Sequence, residues 1–337
     1  FSNFWSQPIC SPTRATVLTG RYGFRTGVGG PLTGVPALPE LLAKPEWAST
    51  EPPPIRRAGV ALAEERPHYL NTDEFTLPMA LKSGEIPYAT AVIGKWHLAN
   101  ESNGWLEHPQ LAGFDHHSGL MEGFINSYFS WNKVVNSEVN GEVGYTATDK
   151  ANDAITWIAE QADRPWFLWM AFNLPHPPLH LPPAETLQSD YSHLDRQANP
   201  LENSPYQVFN AMIEAMDTEI GRVLASLDPE VRENTYVIFM GDNGSVLFPG
   251  SDANTPFRQG GAKGSVYQGG VNVPLIVTGP GVRAGAVSES LVNSTDVFST
   301  IIEMAGLDPA QTVPTEVTTD SVSFLPELLN PDKAEVR

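Results

Sequence analysis

A single cysteine, Cys10, occurs in 337 residues. This excludes an intramolecular disulfide framework and leaves the redox compartment unreadable from cysteine pairing. Basic side chains are scarce as well: twenty Lys and Arg stand against thirty-nine Asp and Glu, a formal net charge of −19. That balance argues against a nucleic-acid or anionic-membrane partner and is what a solvated acidic surface produces. Apolar runs are short, the densest being residues 166–172, far from the roughly twenty residues of a membrane helix. Neither a signal peptide nor an internal repeat is visible. Phe1-Ser2-Asn3-Phe4-Trp5 reads as a start inside a domain.

What is present is a chain long enough to bury a substantial core, between one large α/β domain and two ordinary ones. Ser11-Pro12 offers a turn and helix start, and an apolar run over 15–18 follows until Gly20, which places Cys10 at a helix N-terminus. Residues 20–34 read as a glycine-rich loop and 35–73 as a proline-interrupted surface excursion. A short helix is expected over 76–82 and a buried strand over 88–93, running into Gly94-Lys95-Trp96-His97-Leu98. Residues 100–144 yield no clear organisation. Thr146 or Thr148 is expected to cap a helix with Ala151, Ile155, Ile158 and Ala162 on one face, ended by Arg164-Pro165. Residues 166–172 then read as a fully buried strand with Pro175-His176-Pro177-Pro178-Leu179-His180 at its carboxyl end.

Ser204-Pro205 starts the clearest helix, carrying Phe209, Met212, Met216, Ile220, Val223 and Leu227 at helical spacing. Residues 235–240 form the next strand, which delivers Gly241-Asp242-Asn243-Gly244-Ser245. A glycine-rich loop over 250–270 leads to a strand at 274–277, and Thr295 caps a last helix over 297–305. Helices alternating with short, uniformly apolar strands predict an α/β fold, a mostly parallel central sheet with helices on both faces. Ligands of such sheets collect beyond the carboxyl ends of the strands. Three of the polar clusters lie there, with the cysteine turn as a candidate fourth.

Each cluster admits a plain reading and a chemical one. Cys10 is either a small buried hydrophobe or a special group at a helix end where amide donors suit an anion. Asp242-Asn243 is either a tight turn or a pair of hard oxygen ligands of the kind Ca²⁺ or Mg²⁺ prefers. Lys95 and His97 alternate at a strand end, which projects both to one side. His176 and His180 have the spacing of a helical zinc pair, but Pro175, Pro177 and Pro178 rule out that helix. Lys263 lies in a glycine loop that is not a P-loop, because no Ser or Thr follows it directly.

Cys10-Ser11-Pro12-Thr13-Arg14, followed by Ala15-Thr16-Val17-Leu18-Thr19-Gly20-Arg21, resembles the signature of the type I, formylglycine-dependent sulfatases, which are arylsulfatase-like members of the alkaline phosphatase superfamily. Gly94-Lys95-Trp96-His97-Leu98 is similar to the family's second signature, and Pro175-His176-x-Pro178 and Gly241-Asp242-Asn243-Gly244 match further elements in the family's order. Lys263 to Pro274 resembles its Lys-Gly-x-x-Tyr-x-Gly-Gly-x-x-x-Pro run, with Gln268 in place of the usual glutamate and Asn272 in place of a common arginine. The resemblance implies that Cys10 is oxidised to formylglycine by a formylglycine-generating enzyme. It implies that Asp242, Asn243 and residue 10 ligate Ca²⁺, Mg²⁺ being possible, and that Lys95, His176 and Lys263 bind the sulfate.

By the same resemblance one formylglycine hydroxyl attacks sulfur, His176 and Lys263 assist departure of the alcohol, and His97 promotes elimination of sulfate. Arg14 serves maturation and the active site. Residues 1–337 then read as the catalytic α/β domain, without the first strand that carries the family's Asp-Asp metal pair and without the small C-terminal subdomain. Asp242, Asn243 and a formylglycine oxygen supply about half of the six to eight oxygens Ca²⁺ takes. The implied partner is a sulfated small molecule or carbohydrate, with no nucleic acid and no membrane span, and the implied location is periplasmic or secreted. Two other readings stay open, a phosphonate or phosphate ester hydrolase of the same superfamily and a non-catalytic remnant.

Overall fold

The computed structural model describes residues 1–32, 68–202, 204–246 and 261–330. Most of the 35–73 excursion and the first half of the 250–270 loop lie outside those residues. In chain order the elements that position the site are β1 (Phe4–Trp5), α1 (Cys10–Thr19), α2 (Gly23–Thr26), α3 (Leu77–Lys82), β2 (Ala89–Lys95), β3 (His116–Leu120), β4 (Ser130–Val135), β5 (Glu138–Val143), α4 (Thr146–Ala159), β6 (Trp166–Ala171), α5 (Pro205–Ala225), β7 (Val237–Met240), β8 (Leu275–Thr278), β9 (Val292–Asn293) and α6 (Asp296–Met304).

The central sheet runs β5-β4-β3-β2-β6. It is parallel where β2 meets β3 and β6, and antiparallel where β3, β4 and β5 meander to the margin. A second, two-stranded sheet pairs β7 with β8 antiparallel, and β1 pairs with β9 in parallel. Three of these pairings are parallel and three antiparallel, so the sheet system is mixed, and the 100–144 stretch that had no legible organisation supplies the antiparallel margin of the central sheet. Short apolar strands such as Ala89–Lys95, buried along its whole length, occupy the middle because neither face nor edge meets water.

Three expectations change on inspection. The strand over 166–172 is not fully buried: Trp166 to Met170 are all partly exposed, because β6 pairs only with β2 and its other edge has no partner among the described residues. α4 has neither threonine as its cap. Its N-cap is Tyr145, without a side-chain bond, while the Thr148 hydroxyl inside the helix donates to Glu219 at 2.5 Å. The helix stops at Ala159, and its buried face is Ala147, Lys150, Ala151, Ala154 and Trp157, one step round from the predicted stripe, because it packs between the sheet and α5. α5 shows the same rotation, burying Val208, Ala211, Met212, Ala215 and Val223 and leaving Phe209, Met216 and Ile220 half-buried.

α1 forms as predicted. Ile9 is extended at its N-cap, and Gly20 closes it at φ 65°, donating its N–H to the Thr16 carbonyl. All ten of its residues are buried, so the helix with Cys10 in its first turn is a central strut and not a surface element.

Candidate active site

Cys10 enters the site from the first turn of α1, and its sulfur lies 3.3 Å from Nδ1 of His97. The Ser11 hydroxyl donates to the His97 carbonyl oxygen at 3.0 Å and sits 3.2 Å from the same Nδ1. The strand alternation inferred for Lys95 and His97 fails, although both reach the site. β2 ends at Lys95, and His97 stands in the left-handed region at φ 56°, held by its N–H to the Met121 carbonyl at 3.0 Å. A turn, not a pleat, aims the imidazole at residue 10. The ring has room only because residue 123 is glycine: a Cβ there would lie 2.2 Å from His97 Cε1.

Arg14, one turn along α1, donates from a guanidinium nitrogen to the Lys95 carbonyl at 2.5 Å and reaches Asp242 Oδ2 at 4.0 Å. Its guanidinium carbon lies 5.5 Å from the centre of the Trp169 ring. The Thr13 hydroxyl donates to the Asp242 carbonyl at 2.5 Å, tying α1 to the end of β7. Lys263 N–H donates to the Ser245 carbonyl, which laces the 243–245 turn to the Lys263 loop, and Gly264 N–H donates to the Pro8 carbonyl, which ties that loop to the segment before α1. His176 follows the end of β6. Its Nδ1 donates to the Pro177 carbonyl at 2.8 Å, which leaves Nε2 as the bare nitrogen, and Tyr128 donates to its backbone oxygen at 2.7 Å.

Cys10, Arg14, Lys95 and His97 are all buried, and their charges act on one another strongly. Burial opposes ionisation of the Cys10 thiol, yet Lys95, Lys263 and Arg14 outweigh it and hold the thiol below its ordinary pKa. Burial, then Lys95, Arg14 and Lys263, push His97 well below the ordinary histidine value. Burial with Lys263 and Lys95 does the same to His176. For Asp242 burial is likewise outweighed, by Lys263, Lys95, Arg14 and His97, and the carboxylate stays ionised. Three basic side chains, Arg14, Lys95 and Lys263, and the Asp242 carboxylate thus surround two imidazoles whose pKa values are held down, and burial lowers the pKa of Lys95 as well.

The eight predicted site residues thus meet in one place, delivered by α1, β2, β6, β7 and the Lys263 loop. His180 stays apart as expected of a structural residue: it is fully buried, its ring 4.3 Å from that of Tyr128, with Nε2 3.0 Å from the Tyr145 hydroxyl. Sequence reasoning missed Thr13, Ser11, Gly123 and Asn173. Gly123 carried no motif, and only the parallel pairing of β3 with β2 brings it over His97. The buried Asn173 just past β6 has both amide atoms without partners.

Metal donors are a partial set. Asp242 offers a carboxylate, and Asn243 Oδ1 is buried without a hydrogen-bond partner while its Nδ2 donates to the Gly244 carbonyl. That orphaned oxygen is what a hard cation requires. Among the described residues no three or more His, Cys, Asp or Glu side chains gather as a metal cluster.

The family description "Sulfatase" matches residues 1–307. The chain belongs to the sulfatase family. It is 29% identical over 358 residues to the N-acetylgalactosamine-6-sulfatase of Canis lupus familiaris, covering 98% of this chain and 59% of that protein. Identity to arylsulfatase J of Mus musculus is 27% over 320 residues, covering 90% and 46%. Among solved structures, Ps i-CgsB in complex with k-i-k-neocarrahexaose superposes with a TM-score of 0.72 at 22% identity, covering 99% of this chain and 70% of that one. The PsFucS1 sulfatase from Pseudoalteromonas sp. gives 0.67 at 22%, covering 100% and 65%. These structural likenesses carry the fold. This sulfatase-family chain spans about three-fifths of the length of the N-acetylgalactosamine-6-sulfatases it matches. The α/β architecture and the family are therefore settled, and the chemistry of the whole protein rests on the site.

Proposed function

We propose that this chain carries a sulfate-ester hydrolysing centre acting on a sulfated small molecule or carbohydrate, with residue 10 as the nucleophilic position. The observation that supports it best is the convergence of Arg14, Lys95 and Lys263 around Cys10, in a fold whose net charge would otherwise repel an anion. Formylglycine made from Cys10 by a formylglycine-generating enzyme would supply, when hydrated, the attacking hydroxyl and a second hydroxyl for expelling sulfate. Lys95 and Lys263 neutralise the sulfate oxygens, and Arg14 braces Lys95 through its carbonyl.

His176 presents a bare Nε2 and needs a proton before it can give one to the leaving alkoxide. An anionic ester bound between it and Lys263 raises its pKa toward that role. His97, 3.3 Å from residue 10, exchanges a proton with the group there as sulfate departs. Asp242 and Asn243 would hold Ca²⁺, or Mg²⁺, which lowers the pKa of a bound hydroxyl. Among the described residues β6 and β7 each have one edge without a strand partner, and both strands lead into the site. Periplasmic or extracellular placement belongs to the same reading.

The test is hydrolysis of 4-nitrophenyl sulfate and 4-nitrophenyl phosphate by protein co-expressed with a formylglycine-generating enzyme, with Ca²⁺ added and Cys10→Ala as control. Sulfate cleavage that disappears in Cys10→Ala supports the reading. Cleavage of phosphate without sulfate would transfer the site to phosphate esters. Silence on both, with residue 10 shown by mass spectrometry to be converted, would overturn it.

A further inference from the structure

A cavity of about 350 Å³, within the size range of small-ligand pockets, is lined in part by residues that flank Cys10 and follow Lys263 in the chain. It shares two segments with the site. Pro8 and Ile9 in its wall lead directly into Cys10, and Val266 stands three residues past Lys263. These segments are fastened together by the bond from Gly264 N–H to the Pro8 carbonyl at 2.8 Å. The third wall is the loop after α1, which turns back along the helix and contributes Tyr22 and Phe24. Among the described residues that line it, Gln7 and the Tyr22 phenol are the only polar side chains.

At the mouth Phe24 is 76% exposed and Val266 77%, an unusual amount of large apolar surface to leave in water. Phe24 is nevertheless held firmly. Its ring stacks with Tyr22 at 6.3 Å and 22°, and the Arg25 guanidinium lies 4.9 Å from its centroid. Arg25 Nε donates to both oxygens of Asp320 at 2.9 Å, and Asp320 also accepts the Tyr22 N–H at 2.9 Å. One carboxylate thus fixes both the platform and its support. An aromatic face fixed in solvent loses little conformational freedom when a ligand covers it, which is the condition for a recognition surface.

We propose that this cavity is the subsite for the alcohol portion of the ester and that it selects a flat, apolar ring over a sugar. The inference rests on the sulfate site proposed above: an ester whose sulfate is held by Lys95 and Lys263 must place its alcohol beside the segments that carry residues 10 and 263, and this cavity adjoins both. A sugar entering it would lose the hydration of several hydroxyls against described lining residues that offer two polar side chains to replace it. An aryl ring loses nothing and gains contact with Phe24 and Ile9.

The test is isothermal titration of the chain with inorganic sulfate, 2-naphthyl sulfate, N-acetylgalactosamine 6-sulfate and 2-naphthol, repeated on Phe24→Ala and Val266→Ser, two exposed positions whose change leaves the core intact. Expected is 2-naphthyl sulfate binding about tenfold tighter than inorganic sulfate, N-acetylgalactosamine 6-sulfate no tighter than inorganic sulfate, and loss of the aryl gain in Phe24→Ala. Equal affinity for 2-naphthyl and inorganic sulfate, an aryl gain that survives both substitutions, or a tighter sugar sulfate would overturn the subsite while leaving the sulfate site standing. Failure of inorganic sulfate and both esters to bind removes the sulfate site and the subsite's role together. 2-Naphthol binding that Phe24→Ala abolishes would then mark an apolar pocket unrelated to esters.

Discussion

Outside the site, Lys150 is a costly residue. Its side chain is 1% exposed, its ammonium lies 4.9 Å from the centre of the Trp131 ring, and no hydrogen bond reaches Nζ. Burial pushes its pKa down to about 7, with Asp149 opposing. An unfolded lysine titrates near ~10.4, so between the two values the unfolded chain binds more protons and stability rises with pH. The penalty is complete below about pH 7 and gone above about pH 10. Lys150→Met is therefore expected to raise the urea midpoint strongly at about pH 6 and little at about pH 10, and a gap of equal size at both would refute this account. Within the site, Gly123→Ala is expected to lower kcat of the mature enzyme by about a hundredfold with an unchanged circular dichroism spectrum, since its Cβ displaces the His97 ring. Unaltered turnover would mean that the imidazole does not act from the place described.

At the scale of elements, β2 is the part from which the site hangs. Gly94 is paired with Gly119 on β3 and with Ala171 on β6, a row of minimal side chains across three strands. A Cβ at Gly94 would fall 2.0 Å from the Ala171 carbonyl oxygen, and its φ of 119° is closed to other residues in any case. Gly94→Ala is expected to cost roughly 3 kcal/mol or more, read as a drop in denaturation midpoint, and to separate β2 from β6 just before Lys95. The end of α1 makes a milder comparison. Gly20 lies at φ 65° with a Cβ position 2.7 Å from the Phe298 ring, a neighbour that can shift, so Gly20→Ala should cost less than Gly94→Ala in the same titration. The reverse order would mean that strand packing is not what makes Gly94 essential.

For the whole molecule, the decisive feature is a sheet system that falls into three pieces among the described residues, with one edge of β6 and one of β7 unpartnered there. Strands with an open edge exchange amide protons faster than strands paired on both sides. Hydrogen exchange should therefore show β2 protected at every position and β6 protected only where its amides face β2. Uniform protection of β6 would show that something already covers that edge. The charge of −19 acts at this scale too, since it keeps anions away from the surface at large while Arg14, Lys95 and Lys263 hold one favourable place for them.

Local chemistry made much of this legible in advance. The turn before α1, its glycine stop, the order of strands and the polar clusters at their ends follow from residue preferences that act over a few positions; Lys95, His176 and Asp242 stood out because each sits at such an end, while the roles of Cys10 and Lys263 rested on the resemblance to the sulfatases. What pairing and packing decided lay beyond reach. The buried faces of α4 and α5 were rotated because each packs against the other, which no helical period records. His97 reached residue 10 through a left-handed turn and the gap over Gly123, which depends on β3 lying beside β2. The pocket under Phe24 exists because Asp320, nearly three hundred residues away in the chain, fixes Tyr22 and Arg25. The sequence by itself determined which groups are candidates for chemistry and which segment carries each. Only the tertiary structure decided their distances, their charges and the company they keep, because those are set by contacts between residues remote in the chain.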